Sequence, residues 1–327
     1  MKGSHTLILC IGLLALMSCT KDSKEAVSEN ELISMSLEKL DSFQRPIYDH
    51  EIICRAAVCD PNNSNKIYYC RENQGLKNEI LEYDVNTKSE RLVYSYPNKR
   101  VSSLNLNSLG QLLILGYDAN NGEIVCVNIH NSQVEFTLTN EKLYPILGGV
   151  WLNDTSFTFT KFSVGPGESL ICNGKGDIIS SSVSYDDLVI LSPAIDNSVY
   201  YCKSNDSIQT YGKQDLKTLE YQTSFKFFYK HYPIAFAPDK ANTGFWSIQP
   251  LTRLLYYFDE NSNLITENSV FQSNIILNYL APYPDGDNFL ISVSVYSQKD
   301  GQEIASEYIA LSNLKDKSIR IIKEIQF

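Results

Sequence analysis

A short strand running into a polar turn recurs six times along this 327-residue chain, and that recurrence limits the fold more than any single motif. Glu79-Ile-Leu-Glu-Tyr-Asp84 leads into Val85-Asn-Thr-Lys-Ser-Glu90. Glu123-Ile-Val-Cys-Val-Asn-Ile129 leads into His130-Asn-Ser-Gln, and Glu168-Ser-Leu-Ile-Cys172 into Asn173-Gly-Lys-Gly-Asp. Asp206-Ser-Ile-Gln-Thr-Tyr211, Arg253-Leu-Leu-Tyr-Tyr-Phe258 and Glu307-Tyr-Ile-Ala-Leu311 complete the set. The copies begin 44, 45, 38, 47 and 54 residues apart. A period near 45 residues is the length of one four-stranded propeller blade.

Each copy lies in a unit of four parts: a strand closed by turn residues, a strongly apolar strand, the recurring strand, and a last strand after the polar turn. The first unit reads Ile52–Val58, Lys66–Cys70, Glu79–Asp84 and Arg91–Tyr96. The second reads Val101–Leu106, Gln111–Leu115, Glu123–Ile129 and Val134–Leu138. The remaining four follow the same plan to Ser318–Ile322, with the fourth recurring strand placed at Asp206–Tyr211 and its turn at Gly212-Lys-Gln-Asp215. Asp, Asn, Gly and Pro punctuate the units because they tolerate turn conformations and bond their own backbone. Tyr, of which there are 21, joins Ile, Val, Phe and Thr in the strands, as a half-buried pleated surface favours. No segment holds a long apolar period of 3.6. The expected class is all-β, a six-bladed β-propeller of four-stranded antiparallel blades. A two-sheet sandwich accommodates so many short strands poorly.

The N-terminus carries its own signals. Lys2 precedes an apolar run of 11 residues, Leu7 to Met17, which is too short to span a bilayer and suits the core of a signal peptide. It ends in Leu16-Met-Ser-Cys19, which resembles a bacterial lipobox. That resemblance implies cleavage after residue 18, lipidation (palmitate among the chains) at Cys19, and, with Thr20 following, sorting to the outer membrane. Residues 1–18 are therefore read as signal peptide, 19–45 as lipidated Cys and tether, and 46–327 as a single β-propeller domain. Within the tether, Leu32-Ile-Ser-Met-Ser-Leu37 alternates apolar and polar residues; it reads either as a strand that closes the ring or as plain tether.

Net charge is −10, and −11 once the signal is removed, so the domain repels nucleic acid and no nucleic-acid partner is expected. Of eight cysteines, Cys10 leaves with the signal and Cys19 is the anchor. Cys70, Cys126, Cys172 and Cys202 sit inside apolar strand patterns and read as small buried hydrophobes. There is no Cys-x-x-Cys pair and no His at ligand spacing.

Taken together, a lipobox followed by six degenerate blades resembles the six-bladed, TolB-like β-propeller lipoproteins of Bacteroidota, many of them of unknown function. The resemblance covers about residues 45–327 and rests on the strand that ends in Tyr or Phe before Asp-x-Asn or a similar turn. It lacks the Trp-Asp of WD40 repeats and the paired glycines of kelch.

No Gly-x-Ser-x-Gly, His-Glu-x-x-His or phosphate-binding loop is present, and no pair of carboxylates is singled out. No cofactor or metal is expected. Asp118 to Glu123 and Asp259 to Asn263 lack the full ligand set of a calcium loop. The one aromatic-rich setting is Phe225-Lys-Phe-Phe-Tyr-Lys-His-Tyr-Pro233, which joins the fourth and fifth units. Its aromatics read first as core; as a ligand-facing cluster they nominate Phe228, Tyr229, Lys230, His231 and Tyr232, with Trp246 nearby in sequence. Rings with a polar tip suit sugars or peptides. The function expected is an envelope-anchored binding or scaffold module for a protein, peptide or glycan, attached to the membrane by its lipid. The alternative is an envelope hydrolase or lyase whose site is spread over several blades at the central channel.

Overall fold

The computed structural model describes residues 56–72, 77–97, 99–117, 122–140, 149–161, 167–184, 187–193, 198–205, 208–215, 217–218, 220–227, 235–238, 244–249, 254–259, 264–269, 275–284, 288–299, 302–313 and 318–325. Every regular element among them is a β-strand. The first sheet holds β1 (Ala57–Asp60), β2 (Asn63–Glu72), β3 (Lys77–Asp84) and β4 (Ser89–Pro97). The second holds β5 (Arg100–Leu106), β6 (Gln111–Tyr117), β7 (Gly122–Asn128) and β8 (Gln133–Asn140). The third holds β9 (Gly149–Asn153), β10 (Ser156–Lys161), β11 (Gly167–Asn173) and β12 (Ile178–Ser184). The fourth holds β13 (Asp187–Pro193), β14 (Ser198–Asn205), β15 (Ile208–Asp215) and β16 (Tyr221–Phe227). The fifth holds β17 (Ala235–Pro238), β18 (Gly244–Gln249), β19 (Leu254–Asp259) and β20 (Leu264–Ser269). The sixth holds β21 (Ile275–Pro282), β22 (Phe289–Lys299), β23 (Gln302–Asn313) and β24 (Ser318–Ile325). Each is an antiparallel meander in chain order.

The recurring strand is the third strand of each sheet, and it ends on Asp84, Asn128, Asn173, Asp215, Asp259 or Asn313. The turn chemistry explains why. Asp84 Oδ1 accepts the amides of Asn86 and Thr87, both at 2.9 Å, while Lys88 takes φ 57° and donates its amide to Asp84 O. Asn128 and Ser132 (φ 59°) repeat the arrangement, and in the third sheet Gly176 (φ 89°) fills the left-handed position without a side-chain penalty. The fourth copy corrects the sequence-based placement. Gly212-Lys-Gln-Asp215 is not a turn but the end of β15, and Asp215 Oδ1 caps the true turn through the amides of Lys217 and Thr218. Glycine in a strand misplaced that boundary. The closing residues then fall 44, 45, 42, 44 and 54 apart, more regular than the sequence spacing, and the last gap is long because the β22–β23 hairpin is extended.

Apolar runs such as Ile67–Cys70 and Leu112–Leu115 are continuous because both faces of a sheet are covered by neighbouring sheets. Tyr68, Cys70 and Ile80 of the first sheet pack on Leu112, Ile114, Val125 and Val127 of the second. Leu113, Leu115, Ile124 and Cys126 on the opposite face pack on Trp151, Phe157, Phe159 and Leu170 of the third. Ile67, Tyr69, Leu81 and Tyr83 of the first sheet pack on Leu290, Ile309 and Leu311 of the sixth. First strands neighbour one another in turn, β1 with β5, β5 with β9, β9 with β13, β13 with β17, β17 with β21, and β21 with β1. Residues 32–37, one reading of which was a ring-closing strand, lie outside the described residues; the sixth sheet takes all four of its strands from residues 275–325.

The fourth strands carry a shared irregularity. Val93, Glu135, Ile179, Ser224, Ile265 and Ile322 are each the extra residue of a bulge at the same place in their sheet. A bulge bends and twists an outer strand, which blunts a rim that otherwise presents an open hydrogen-bonding edge.

Candidate functional site

The meander order puts two kinds of connection at opposite ends of every sheet. First-to-second and third-to-fourth turns share one end; second-to-third hairpins and sheet-to-sheet links share the other.

The link end of the first two sheets carries an array of paired charges. Arg71 Nε donates to Glu79 Oε2 at 3.1 Å across β2 and β3. Lys99, in the short link between β4 and β5, places Nζ 3.1 Å from Glu123 Oε2 on β7. Arg100 opens β5 with half its side chain exposed, and its Nε lies 3.9 Å from Glu72 Oε1 at the end of β2. Asn78 donates to Lys99 O and pins the link from beneath. Three cations and three carboxylates thus pair over this end, held by cross-strand spacing and one short connection. Burial, with Glu123 nearby, raises the Tyr94 hydroxyl above the ordinary phenol range.

The turn end is quieter. Asn62 donates to Ser108 O at 2.6 Å, and Ser108 in turn donates its amide and hydroxyl to Asp154, at 3.1 and 2.6 Å. The first turns of three successive sheets are therefore chained together. His130 lies over Gly110, whose φ of 80° and tight cover exclude any side chain.

Between the ends, Glu82 is a buried carboxylate bonded on several sides. Lys66 Nζ lies 2.8 Å from Oε1; Tyr68 OH (2.9 Å) and Arg91 Nη2 (2.6 Å) both donate to Oε2. Tyr68, Glu82 and Arg91 are direct cross-strand neighbours. Arg91 continues to Ile129 O at 2.8 Å, which ties the first sheet to the second. Burial raises this carboxyl, but the hydrogen bonds from Lys66, Arg91 and Tyr68 outweigh it, and the net shift is below the ordinary Glu range. Burial and the Glu82 charge push the Tyr68 hydroxyl far up. All partners are in place, so the cluster reads as an inter-sheet tie rather than a reactive group.

Of the sequence-nominated site residues, Cys19 and Phe228, Tyr229, Lys230, His231 and Tyr232 lie outside the described residues. The link that holds the latter five does run from β16 to β17, that is, from a fourth strand to a first strand. Trp246 lies within β18, 6% exposed, opposite Tyr257 with ring centroids 4.7 Å apart. Its ring is part of the interior. The charge array at Arg71, Glu72, Glu79, Lys99, Arg100 and Glu123 escaped the sequence reading because its partners come from three strands and a link; the compact Asn98-Lys-Arg100 run was its only linear signal. Among the described residues, no group of three or more His, Cys, Asp or Glu side chains is placed to hold a metal ion.

No protein-family model matches the sequence and no curated protein matches it. Solved structures do. A TolB from Agrobacterium tumefaciens aligns at 9% identity and TM-score 0.57, over 76% of this chain and 89% of its own. A chain of a nidogen/laminin complex aligns at 11% identity and TM-score 0.53, over 78% and 93%. The calcium-binding protein regucalcin of Agrobacterium tumefaciens aligns at 14% identity and TM-score 0.52, over 76% and 84%. At these identities the likeness is one of fold, and the fold is that of a β-propeller.

Proposed function

We propose that the chain is an envelope-anchored, six-bladed propeller lipoprotein, a binding or scaffold module of the kind it resembles among Bacteroidota. Residues 1–18 are its signal peptide, Cys19 its lipid anchor at the outer membrane, 19–45 its tether, and 46–327 one propeller domain. The unbroken cycle of neighbouring first strands supports six blades in one ring. The link end of the ring engages a protein, peptide or glycan. The observation that carries this reading is the set of three ion pairs at that end, Arg71 with Glu79, Lys99 with Glu123 and Arg100 with Glu72. Such a rim steers and orients a polar partner more than it adds raw affinity. The segment 228–232 lies between β16 and β17, in a connection from a fourth strand to a first strand, and its sequence is rich in aromatic residues. That one fold neighbour comes from a complex of two proteins is consistent with such a use.

Two experiments test the reading. Cys19→Ser moves the protein from the membrane to the soluble fraction; unchanged membrane association overturns the anchor. Capture from detergent-solubilised envelope then compares the wild type with Arg100→Glu plus Lys99→Glu, and with Tyr229→Ala plus His231→Ala. Loss of the same partner in both variants is the expected result, and full retention in both removes the link end from consideration.

A further inference from the structure

The joints between neighbouring sheets do not share one chemistry. On the face of the second sheet that meets the third, Leu113, Leu115 and Ile124 fill the joint. The register places Thr158, Thr160 and Ser169 of the third sheet at the corresponding positions. Phe157, Phe159 and Leu170 point back toward the second sheet, so by strand alternation these three hydroxyl residues face the fourth. All three are buried. Thr158 Oγ1 donates to Leu170 O at 2.8 Å, but Thr160 Oγ1 and Ser169 Oγ are buried with no hydrogen-bond partner among the described residues.

The opposing wall has changed in the same sense. Where the second sheet presents Val125 and Val127 to its predecessor, the fourth presents Gly212 and Gln214. Gln214 is fully buried, and neither its Nε2 nor its Oε1 has a partner among the described residues. Beside Val199 and Tyr201, which keep part of that wall apolar, the more polar groups on both walls leave unmet hydrogen bonds in the same joint. Unmet buried polar atoms are costly, and ordered water with two to four polar contacts is their usual complement.

We propose that the joint between the third and fourth sheets is an internal hydration site. One ordered water bridges Thr160 Oγ1 and Ser169 Oγ, which are direct cross-strand neighbours. A second is held at the Gln214 amide, toward the turn end of the same joint.

Two readouts test this in the full chain. Oxygen-17 water relaxation dispersion counts long-lived internal waters, and Thr160→Val with Ser169→Ala removes at least one from the wild-type count. A crystal structure of the wild type shows density within about 3.2 Å of both hydroxyls. The variant keeps or raises the thermal midpoint, because both hydroxyls and the water between them leave together. An unchanged water count with a lowered midpoint overturns the proposal, since the hydroxyls are then bonded directly to the fourth sheet. Ser169→Ala alone serves as the milder variant if the double change does not fold, and its water count is read in the same way.

Discussion

Lys323 Nζ lies 3.1 Å from Glu90 Oε1, joining the last strand of the sixth sheet to the last strand of the first. The same ammonium stands 5.0 Å from the centre of the Tyr83 ring, and Tyr69 OH donates to Glu90. Tyr283 OH adds a bond of 2.6 Å to Ser64 O. The two sheets share no strand, and contacts made by side chains cross this joint. A double-mutant cycle of Lys323→Met and Glu90→Gln is expected to show about 0.5–1 kcal/mol of coupling, as for a partly exposed pair with a cation–π supplement. Strictly additive urea midpoints refute the contact.

Acid should loosen the same joint and its neighbour. Burial raises the Glu90 carboxyl, but bonds from Tyr69 and Lys323 outweigh it, so its folded-state pKa lies below the unfolded value, as does that of Glu82. A carboxyl with a depressed folded pKa stabilises fully above its unfolded pKa and loses that contribution as pH falls through the folded one. Unfolding free energy is therefore flat near neutrality and declines below about pH 4.5, where free Glu begins to protonate. Glu82→Gln lowers stability at pH 7 by about 1–3 kcal/mol, because Lys66 and Arg91 lose their counter-charge and one of the two acceptor oxygens becomes an NH2 donor, and it flattens the acid limb. An acid limb as steep as the wild type's in the Glu82→Gln, Glu90→Gln variant removes both groups from the account.

The fold was more legible than the site, for reasons visible in single residues. Asp84, Asn128 and Asn173 announce their turns because an Asx side chain bonds the backbone two residues on, a local event that sequence records. Gly212 misled for the converse reason: glycine reads as turn, yet here it lies in mid-strand facing the third sheet. The bulges at Val93, Glu135 and Ile179 have no common residue type and leave no sequence signal. The charge array is built from Arg71, Lys99 and Arg100, whose carboxylate partners are brought up by strand pairing and sheet stacking. Trp246, nominated for its ring and its nearness in sequence, lies within β18 against Tyr257, a placement that strand pairing decides and sequence proximity does not.

Close approach between sheets gives a sharper test of stacking. Gly116 on β6 lies directly under the Tyr96 ring of β4, with no space for a methyl group. Gly149 on β9 approaches Leu115 so closely that an added Cβ falls 2.6 Å from Cδ2. Gly116→Ala is expected to cost about 1–3 kcal/mol by overpacking, and Tyr96→Leu in the same chain to recover part of it. Gly174, whose Cβ meets nothing nearer than 3.6 Å, is the control and should tolerate Ala with a smaller change. Equal losses at Gly116 and Gly174 contradict the stacking.

Buried thiols offer a further test. Cys59, Cys70, Cys126 and Cys172 lie in the interior as thiols. Burial, with Glu135 nearby, pushes the Cys126 thiol up to about 12; burial, with Asp177 nearby, pushes that of Cys172 up to about 11. The thiolate is the reactive form, so at pH 8 both are protected twice, by access and by protonation. Iodoacetamide followed by peptide mass spectrometry should leave Cys126 and Cys172 unmodified in the folded protein and label both within minutes in urea. Such cysteines resist oxidation because it follows thiolate character and exposure, and these two lack both. Labelling of either peptide in the native state at the rate of a free thiol would show that the joint between the second and third sheets opens far more often than its packing of Trp151, Phe157 and Phe159 allows.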